Sequence, residues 1–146
     1  MSCRFLRTHW RATRPNCALT IWIAFAAKES SDGYLYYTRG PNEQGLFRLR
    51  LTDGVEEPVL PQLGVGMWGN WALGQGKVYF IDWVDKSKQV AYAQVYEPGG
   101  GIRKLFQLKH LVGWDGAITI SPDEKTLVYA QLDRSGGDIF LVDNLR

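Results

Sequence analysis

The sequence is poor in the residues that build metal centres and disulfide frameworks. Only two cysteines, Cys3 and Cys17, and two histidines, His9 and His110, occur among 146 residues, and no Cys-x-x-Cys pair is present. Zinc sites need several such ligands at close sequence spacing. The sequence therefore predicts no metal site and no cofactor. We interpret both cysteines as unpaired, although they could pair in an oxidising compartment.

Charge and long hydrophobic runs are also scarce. The formal net charge is +2, which is too small to predict contact with nucleic acid. The longest apolar run covers residues 18–27 and is shorter than the roughly 20 residues that a transmembrane helix needs. The sequence thus predicts neither nucleic-acid binding nor a transmembrane span.

Residues 1–24 form a leader of unusual composition. Four arginines, Arg4, Arg7, Arg11 and Arg14, precede the short apolar run, which is the outline of a secretory signal. Against this interpretation, residues 25–30 lead directly into the first repeat described below, so cleavage nearby would cut a strand. We expect a poorly ordered leader that is either signal-like or an artefactual start. The first alternative predicts an extracytoplasmic protein, periplasmic or secreted, and the second a cytoplasmic one.

Catalytic motifs are missing as well. No Gly-x-Ser-x-Gly nucleophile elbow occurs, and Gly99-Gly100-Gly101 lacks the Lys-Ser/Thr that completes a phosphate-binding loop. His110 has no nucleophile that the sequence places beside it. We therefore predict no catalytic residue and no enzyme activity.

The sequence does contain a repeated motif, in which a turn is followed by two strands. Ser121-Pro122-Asp123-Glu124 predicts a turn, because proline presets φ and aspartate bonds the following backbone. Two apolar strands follow, Thr126–Gln131 and Ile139–Val142, on either side of a loop at 133–137. This pattern is typical of a β-hairpin.

The same motif recurs at residues 32–51 and, more weakly, at 76–95. Aligning Tyr37, Phe80 and Tyr129 gives spacings of 43 and 49 residues, within the roughly 40 to 50 expected for one blade of a β-propeller. The turn residues of the repeats, which we interpret as structural, are Ser30, Asp32, Gly33, Gly76, Ser121, Pro122 and Asp123. The chain is therefore predicted to be a repeat protein.

The segment Ser121-Pro122-Asp123-Glu124-Lys125, with the strand after it, resembles the repeat of TolB-like propellers, a branch of the WD-repeat-like families. Their usual repeat has glycine where this chain has Glu124, whereas the first copy keeps Gly33 but has no proline. The resemblance covers about residues 25–146. It implies an all-β fold, an incomplete β-propeller of four-stranded antiparallel blades at about 25–61, 67–108 and 114–146. Pro58 and Pro61 predict that residues 57–61 form the outer edge strand of the first blade, because proline cannot donate to a ladder.

About two and a half blades cannot close a ring, which needs about four or more. We therefore expect a C-terminal fragment of a longer propeller whose third blade has three strands. As a hypothesis, Leu19–Phe25 docks on the open edge of Ile139–Val142. Uncovered blade faces also predict self-association.

The resemblance implies a noncatalytic protein–protein interaction scaffold with an unidentified protein partner. Two alternatives stay open: the propeller portion of a prolyl-oligopeptidase-like serine peptidase without its hydrolase domain, and a secreted glycan-binding module. The candidate interaction surface consists of tryptophans in or beside loops and crossovers, Trp68, Trp83 and Trp114. Stacking between adjacent blades is the alternative role for these rings. Core packing between blades is predicted for the aromatic residues within the strands, Tyr36, Tyr37, Tyr79, Phe80, Tyr129 and Phe140.

Overall fold

The computed structural model describes residues 24–85, 87, 90–109, 118–133 and 136–143. Within these ranges the chain forms strands, turns and bends without any helix, and the strands make three antiparallel sheets. The all-β prediction is confirmed. No described segment is a helix that could cross a bilayer. The leader through residue 23, both cysteines, both histidines and Trp114 lie outside the described residues.

Each sheet is a meander in which consecutive strands pair. The first sheet contains β1 (Ala26–Glu29), β2 (Tyr34–Thr38), β3 (Leu46–Arg50) and β4 (Glu56–Leu60). The second contains β5 (Trp71–Leu73), β6 (Val78–Asp85), β7 (Val90–Glu97) and β8 (Gly101–Gln107). The third contains β9 (Ile118–Ile120), β10 (Leu127–Asp133) and β11 (Gly136–Val142).

The three sheets share one strand register. The residue pairs that close their first hairpins are Glu29 with Leu35, Leu73 with Val78, and Ile120 with Leu127. Two residues further along the second strands lie Tyr37, Phe80 and Tyr129, the positions that the sequence alignment brought together. The sheets are therefore copies of the same local structure.

Proline determines the edge of the first sheet. β4 pairs with β3 alone, and Pro58 lies opposite Phe47 beside an irregularity in the register. Because proline has no N–H to donate, it is tolerated only where no further strand must pair. The prediction of an outer edge strand around Pro58 is confirmed.

The prediction of a loop at 133–137 is wrong. β10 continues to Asp133 and β11 begins at Gly136, with backbone pairs Leu132 to Gly137 and Asp133 to Gly136. Two residues then separate the strands, which is the commonest length of hairpin connection. Glycine weakens a strand but can adopt its extended backbone, so the Gly-Gly pair does not end the ladder here.

Two apolar layers hold the sheets face to face. The layer between the first and second sheets contains Tyr36, Leu46, Leu60, Leu63, Met67, Trp71, Val78 and Phe80. The layer between the second and third contains Ala72, Tyr79, Ile81, Ala91, Ala93, Val95, Leu108, Ile118, Leu127 and Tyr129. The core role predicted for the strand aromatics is confirmed for Tyr36, Tyr37, Tyr79, Phe80 and Tyr129, which are buried.

The hypothesis that Leu19–Phe25 docks on the open edge of β11 can be checked only at Phe25. The backbone N–H of Phe25 donates to the carbonyl oxygen of Thr38 at 3.0 Å, which places this residue beside β2 in the first sheet. At that position the hypothesis is wrong, because Phe25 bonds to the end of β2 and not to β11. The remainder of the segment lies outside the described residues.

Candidate functional site

The first repeat turn is closed by hydrogen bonds within its backbone and to the side chain of Asp32. The N–H of Gly33 donates to the Ser30 carbonyl at 3.2 Å, and the N–H of Ser30 donates to the Tyr34 carbonyl at 2.9 Å. The Asp32 carboxylate accepts from the Tyr34 N–H at 3.3 Å and from the Tyr36 hydroxyl at 3.3 Å. Asp32 therefore serves to close the turn.

The turn of the third sheet repeats this chemistry. The Glu124 N–H donates to the Ser121 carbonyl at 2.9 Å. The Asp123 carboxylate accepts from the Ser121 hydroxyl at 2.6 Å and from the Lys125 N–H at 3.2 Å. The hydrogen bond from Ser121 is the main cause that lowers the pKa of Asp123. A carboxylate held ionised within its own turn is suited to capping the backbone rather than to acid–base chemistry.

One backbone position in these turns requires a left-handed conformation. Gly33 has φ +84° and Gly76 has φ +72°, while Glu124 in the third sheet has φ 56°. A residue with a Cβ pays a steric cost in this region, which is why glycine is usual there. Glu124 must therefore be retained for another reason.

That reason lies in the contacts of the Glu124 carboxylate with the second sheet. One oxygen accepts from the backbone N–H of Gln75, and the other lies 3.2 Å from the Lys77 ammonium. The Gln75 side-chain amide donates in return to the Pro122 carbonyl at 2.8 Å. These contacts, which we call the turn clamp, join the second and third sheets at one end.

The opposite end of the first two sheets carries an exposed apolar group. Phe25 is 50% exposed and Val65 is 40% exposed. The Phe25 ring meets the half-buried ring of Trp68 edge to face, with centroids 5.4 Å apart. We call Phe25 and Trp68, together with Val65 three residues before Trp68 in the same crossover, the aromatic rim.

The base of the rim is anchored by hydrogen bonds. The Trp68 carbonyl accepts from the Thr38 hydroxyl at 2.9 Å and from the Trp71 indole N–H at 2.9 Å. The Lys28 ammonium donates to the Trp71 carbonyl at 2.8 Å and lies 4.9 Å from the centre of its ring. Burial lowers the pKa of Lys28. Because these contacts link β1, β2 and β5, the rim stands on a rigid base.

The three tryptophans predicted as an interaction surface are thus separated. Trp68 belongs to the rim. Trp83 lies within β6, half-buried against both apolar layers. Trp114 lies outside the described residues. Phe25 and Val65 were not singled out from the sequence, because an exposed side chain next to a strand has no distinctive local pattern.

Among the described residues, no group of three or more His, Cys, Asp or Glu side chains is placed to hold a metal ion. The carboxylates that the turns present are already engaged with backbone and hydroxyl donors, as the turn geometry above shows.

Comparison with known proteins finds similarity among solved structures. No family model and no curated protein matches the sequence. The crystal structure of TolB from Acinetobacter baumannii superposes with a TM-score of 0.57 over 76% of this chain. The fold is TolB-like. The two chains are 11% identical, and the match spans 27% of the TolB chain, so the TolB-like fold is shared over about a quarter of that protein. The likeness lends nothing to a WD-repeat assignment.

The outer face of the first sheet contains a buried tyrosine, Tyr37, whose pKa is raised. The Tyr37 hydroxyl donates to the Glu56 carboxylate, which also accepts from Arg39 at 2.5 Å. Burial and this carboxylate raise the pKa of Tyr37 to about 12. The folded protein therefore keeps this proton where the unfolded chain loses it, so the stability from Tyr37 is complete below pH 10 and is lost as pH rises towards 12.

We expect Tyr37→Phe to remove that part of the alkaline destabilisation. Glu56 is 39% exposed, so water screens the pair, and we expect a difference of about 1–2 kcal/mol between pH 10 and pH 12 rather than the full linkage value. Urea unfolding of both proteins across this interval measures it. Parallel stability curves for wild type and variant would show that Tyr37 titrates normally.

Proposed function

We propose that this protein is a noncatalytic interaction scaffold in which the three sheets are consecutive blades of an incomplete β-propeller. The TolB-like fold and the common strand register of the sheets support the blade assignment. We also propose an extracytoplasmic location, in keeping with the signal-like leader.

The observation that carries the interaction role is the aromatic rim. Large apolar side chains are mostly buried in this chain, yet Phe25 is 50% exposed beside Trp68. Aromatic residues are enriched in the energetic centres of protein interfaces, where they supply large contact area with little loss of side-chain freedom. A rigid base reduces that loss further. We propose that the rim contacts an apolar patch on a protein partner.

A glycan is a less suitable occupant of the same surface. Sugar rings stack on an open aromatic face and also need a ring of polar partners to bond their hydroxyl groups. The Trp68 ring already has the edge or face of Phe25 against it, and Val65 adds apolar surface. No contact among the described residues favours the peptidase-propeller alternative either.

The partner can be identified by site-specific photocrosslinking. A photoreactive amino acid at position 25 should yield a protein adduct in producing cells, whereas the same group at the exposed position 102 on β8 should yield none or different adducts. Adducts identified by mass spectrometry supply the partner for quantitative binding.

With that partner, Val65→Ser and Val55→Ser form a matched pair of variants. Val65 is 40% exposed in the crossover that follows β4, and Val55 is 46% exposed directly before β4. We expect Val65→Ser, alone and combined with Phe25→Ser, to weaken binding, the double variant by about tenfold or more. Val55→Ser should leave the affinity unchanged. Equal affinities of all variants, measured by calorimetry, would refute binding through the rim.

A further inference from the structure

The third sheet lacks, among the described residues, the fourth strand that the first and second sheets have. In the described part of the chain, β11 pairs only with β10, whereas β3 and β7 each pair with a fourth strand as well. The free edge of a strand presents a row of N–H and C=O groups that can pair with another strand.

Edge strands of natural proteins are usually protected against such pairing, and the outer edge strands of the first and second sheets carry such protection. β4 carries Glu56, Glu57 and Pro58, and β8 carries Arg103 and Lys104. Charges and proline at an edge oppose pairing with another chain. β11 instead ends in the sequence Ile-Phe-Leu-Val, without charge or proline. Its edge is unprotected.

The strand registers show what is missing at this edge. Leu46 in β3 and Ala93 in β7 are both 0% exposed and lie opposite Leu60 and Phe106 of the fourth strands. The equivalent residue of β11 is Ile139, which is 79% exposed. Leu46 and Ala93 also face the next sheet within the two apolar layers, whereas no described sheet covers the face that carries Ile139. An apolar residue opposite Ile139 on an added strand would cover part of this face.

We propose that the occupant of this edge is β11 of a second copy of the chain, paired antiparallel about a two-fold axis at Phe140. This register places Ile139 opposite Leu141 of the second copy, and Leu141 is 61% exposed. The one charged residue of the strand, Asp138, falls opposite Val142 of the second copy, so no like charges meet. An isologous contact of this kind needs only one self-complementary surface.

The resulting dimer contains one continuous sheet of six strands, made from the third sheets of both copies. The ladder supplies backbone hydrogen bonds, and the two Ile139–Leu141 pairs supply cross-strand apolar contacts. The pairing does not use the aromatic rim, so the dimer and the proposed partner binding can fail independently.

Sedimentation velocity over a concentration series tests the dimer. Wild type should show a reversible monomer–dimer equilibrium, and Ile139→Lys combined with Leu141→Lys should raise the dimer Kd at least about 30-fold, because two apolar pairs become like-charge pairs. Both positions are exposed, so the monomer should keep its fold by circular dichroism. Ile102→Lys, on the protected edge strand β8 at 42% exposure, is the matched control and should leave the Kd unchanged.

Disulfide trapping tests the register. In a Cys3→Ser, Cys17→Ser background, Ile139→Cys with Leu141→Cys should form covalent dimers on oxidation, because directly opposite positions have the Cβ separation that a disulfide needs. Each single cysteine should cross-link poorly. A monomer at all concentrations, a dimer unaffected by the lysine pair, open-ended oligomers, or efficient trapping by a single cysteine would each overturn the proposal.

Discussion

Replacing Trp71 with alanine should lower the free energy of unfolding by about 3–5 kcal/mol. Trp71 is 0% exposed and belongs to the apolar layer between the first and second sheets. Removing the indole leaves a cavity there and removes the surface that the Lys28 ammonium packs against. Since domains of this size are stable by about 5–15 kcal/mol, the loss is a large fraction of the total. Urea denaturation followed by circular dichroism measures it.

Trp71→Phe and Trp83→Ala are the controls for this result. Phenylalanine keeps most of the buried apolar volume but loses the indole N–H that donates to the Trp68 carbonyl, so we expect a loss of about 1–2 kcal/mol. Trp83 is half-buried, and its truncation should cost less than that of Trp71. A cost for Trp71→Ala below that of Trp83→Ala would mean that the two sheets do not pack through Trp71.

The turn clamp leads to the second large effect. Glu124→Ala should destabilise the protein by about 1–3 kcal/mol, because it removes the hydrogen bond from the Gln75 N–H and the ion pair with Lys77. The Glu124 side chain is only 14% exposed, so water screens this ion pair weakly. Glu124→Gly removes the same contacts but relieves the left-handed backbone at φ 56°. It should therefore be less destabilising than alanine by about 1 kcal/mol.

Gly33→Ala isolates the backbone contribution. Gly33 has φ +84°, and no atom lies within 4 Å of the position that a Cβ would take, so its substitution tests conformational strain alone. We expect a cost of about 1 kcal/mol. Thermal and urea unfolding of the three variants would contradict this account if Glu124→Gly were as destabilising as Glu124→Ala while Gly33→Ala still showed its cost.

Much of the fold follows from short-range sequence patterns. Pro122 and Asp123 define a turn within four residues, and Pro58 excludes a further strand beyond β4, so both predictions depend on local chemistry alone. The loop at 133–137 was mispredicted because a Gly-Gly pair is compatible with either a turn or an extended strand. Its pairing with β10 is favoured by Phe140 and Val142 further along the strand, which pack against the layer shared with the second sheet.

The candidate site is less predictable, because exposure depends on which sheets lie side by side. Trp68 could be selected from its place in a glycine-rich crossover. The sequence assigns Phe25 to the start of the first blade, but only its bond to Thr38 shows that it lies at the end of the first sheet next to Trp68. The contacts of Glu124 also bring together residues 49 positions apart, a relation that no local pattern contains.

The fold consists of three separate sheets packed one upon the next, and nuclear Overhauser effects test this arrangement most directly. We expect cross-peaks between the rings of Phe106 and Tyr129, whose centroids are 5.8 Å apart across the second and third sheets, and between Lys28 and Trp71 across the first and second. We expect no backbone cross-strand peaks linking β4 to β5 or β8 to β9. Strong peaks of that last kind, with the Phe106–Tyr129 peak missing, would show a continuous barrel and contradict the account.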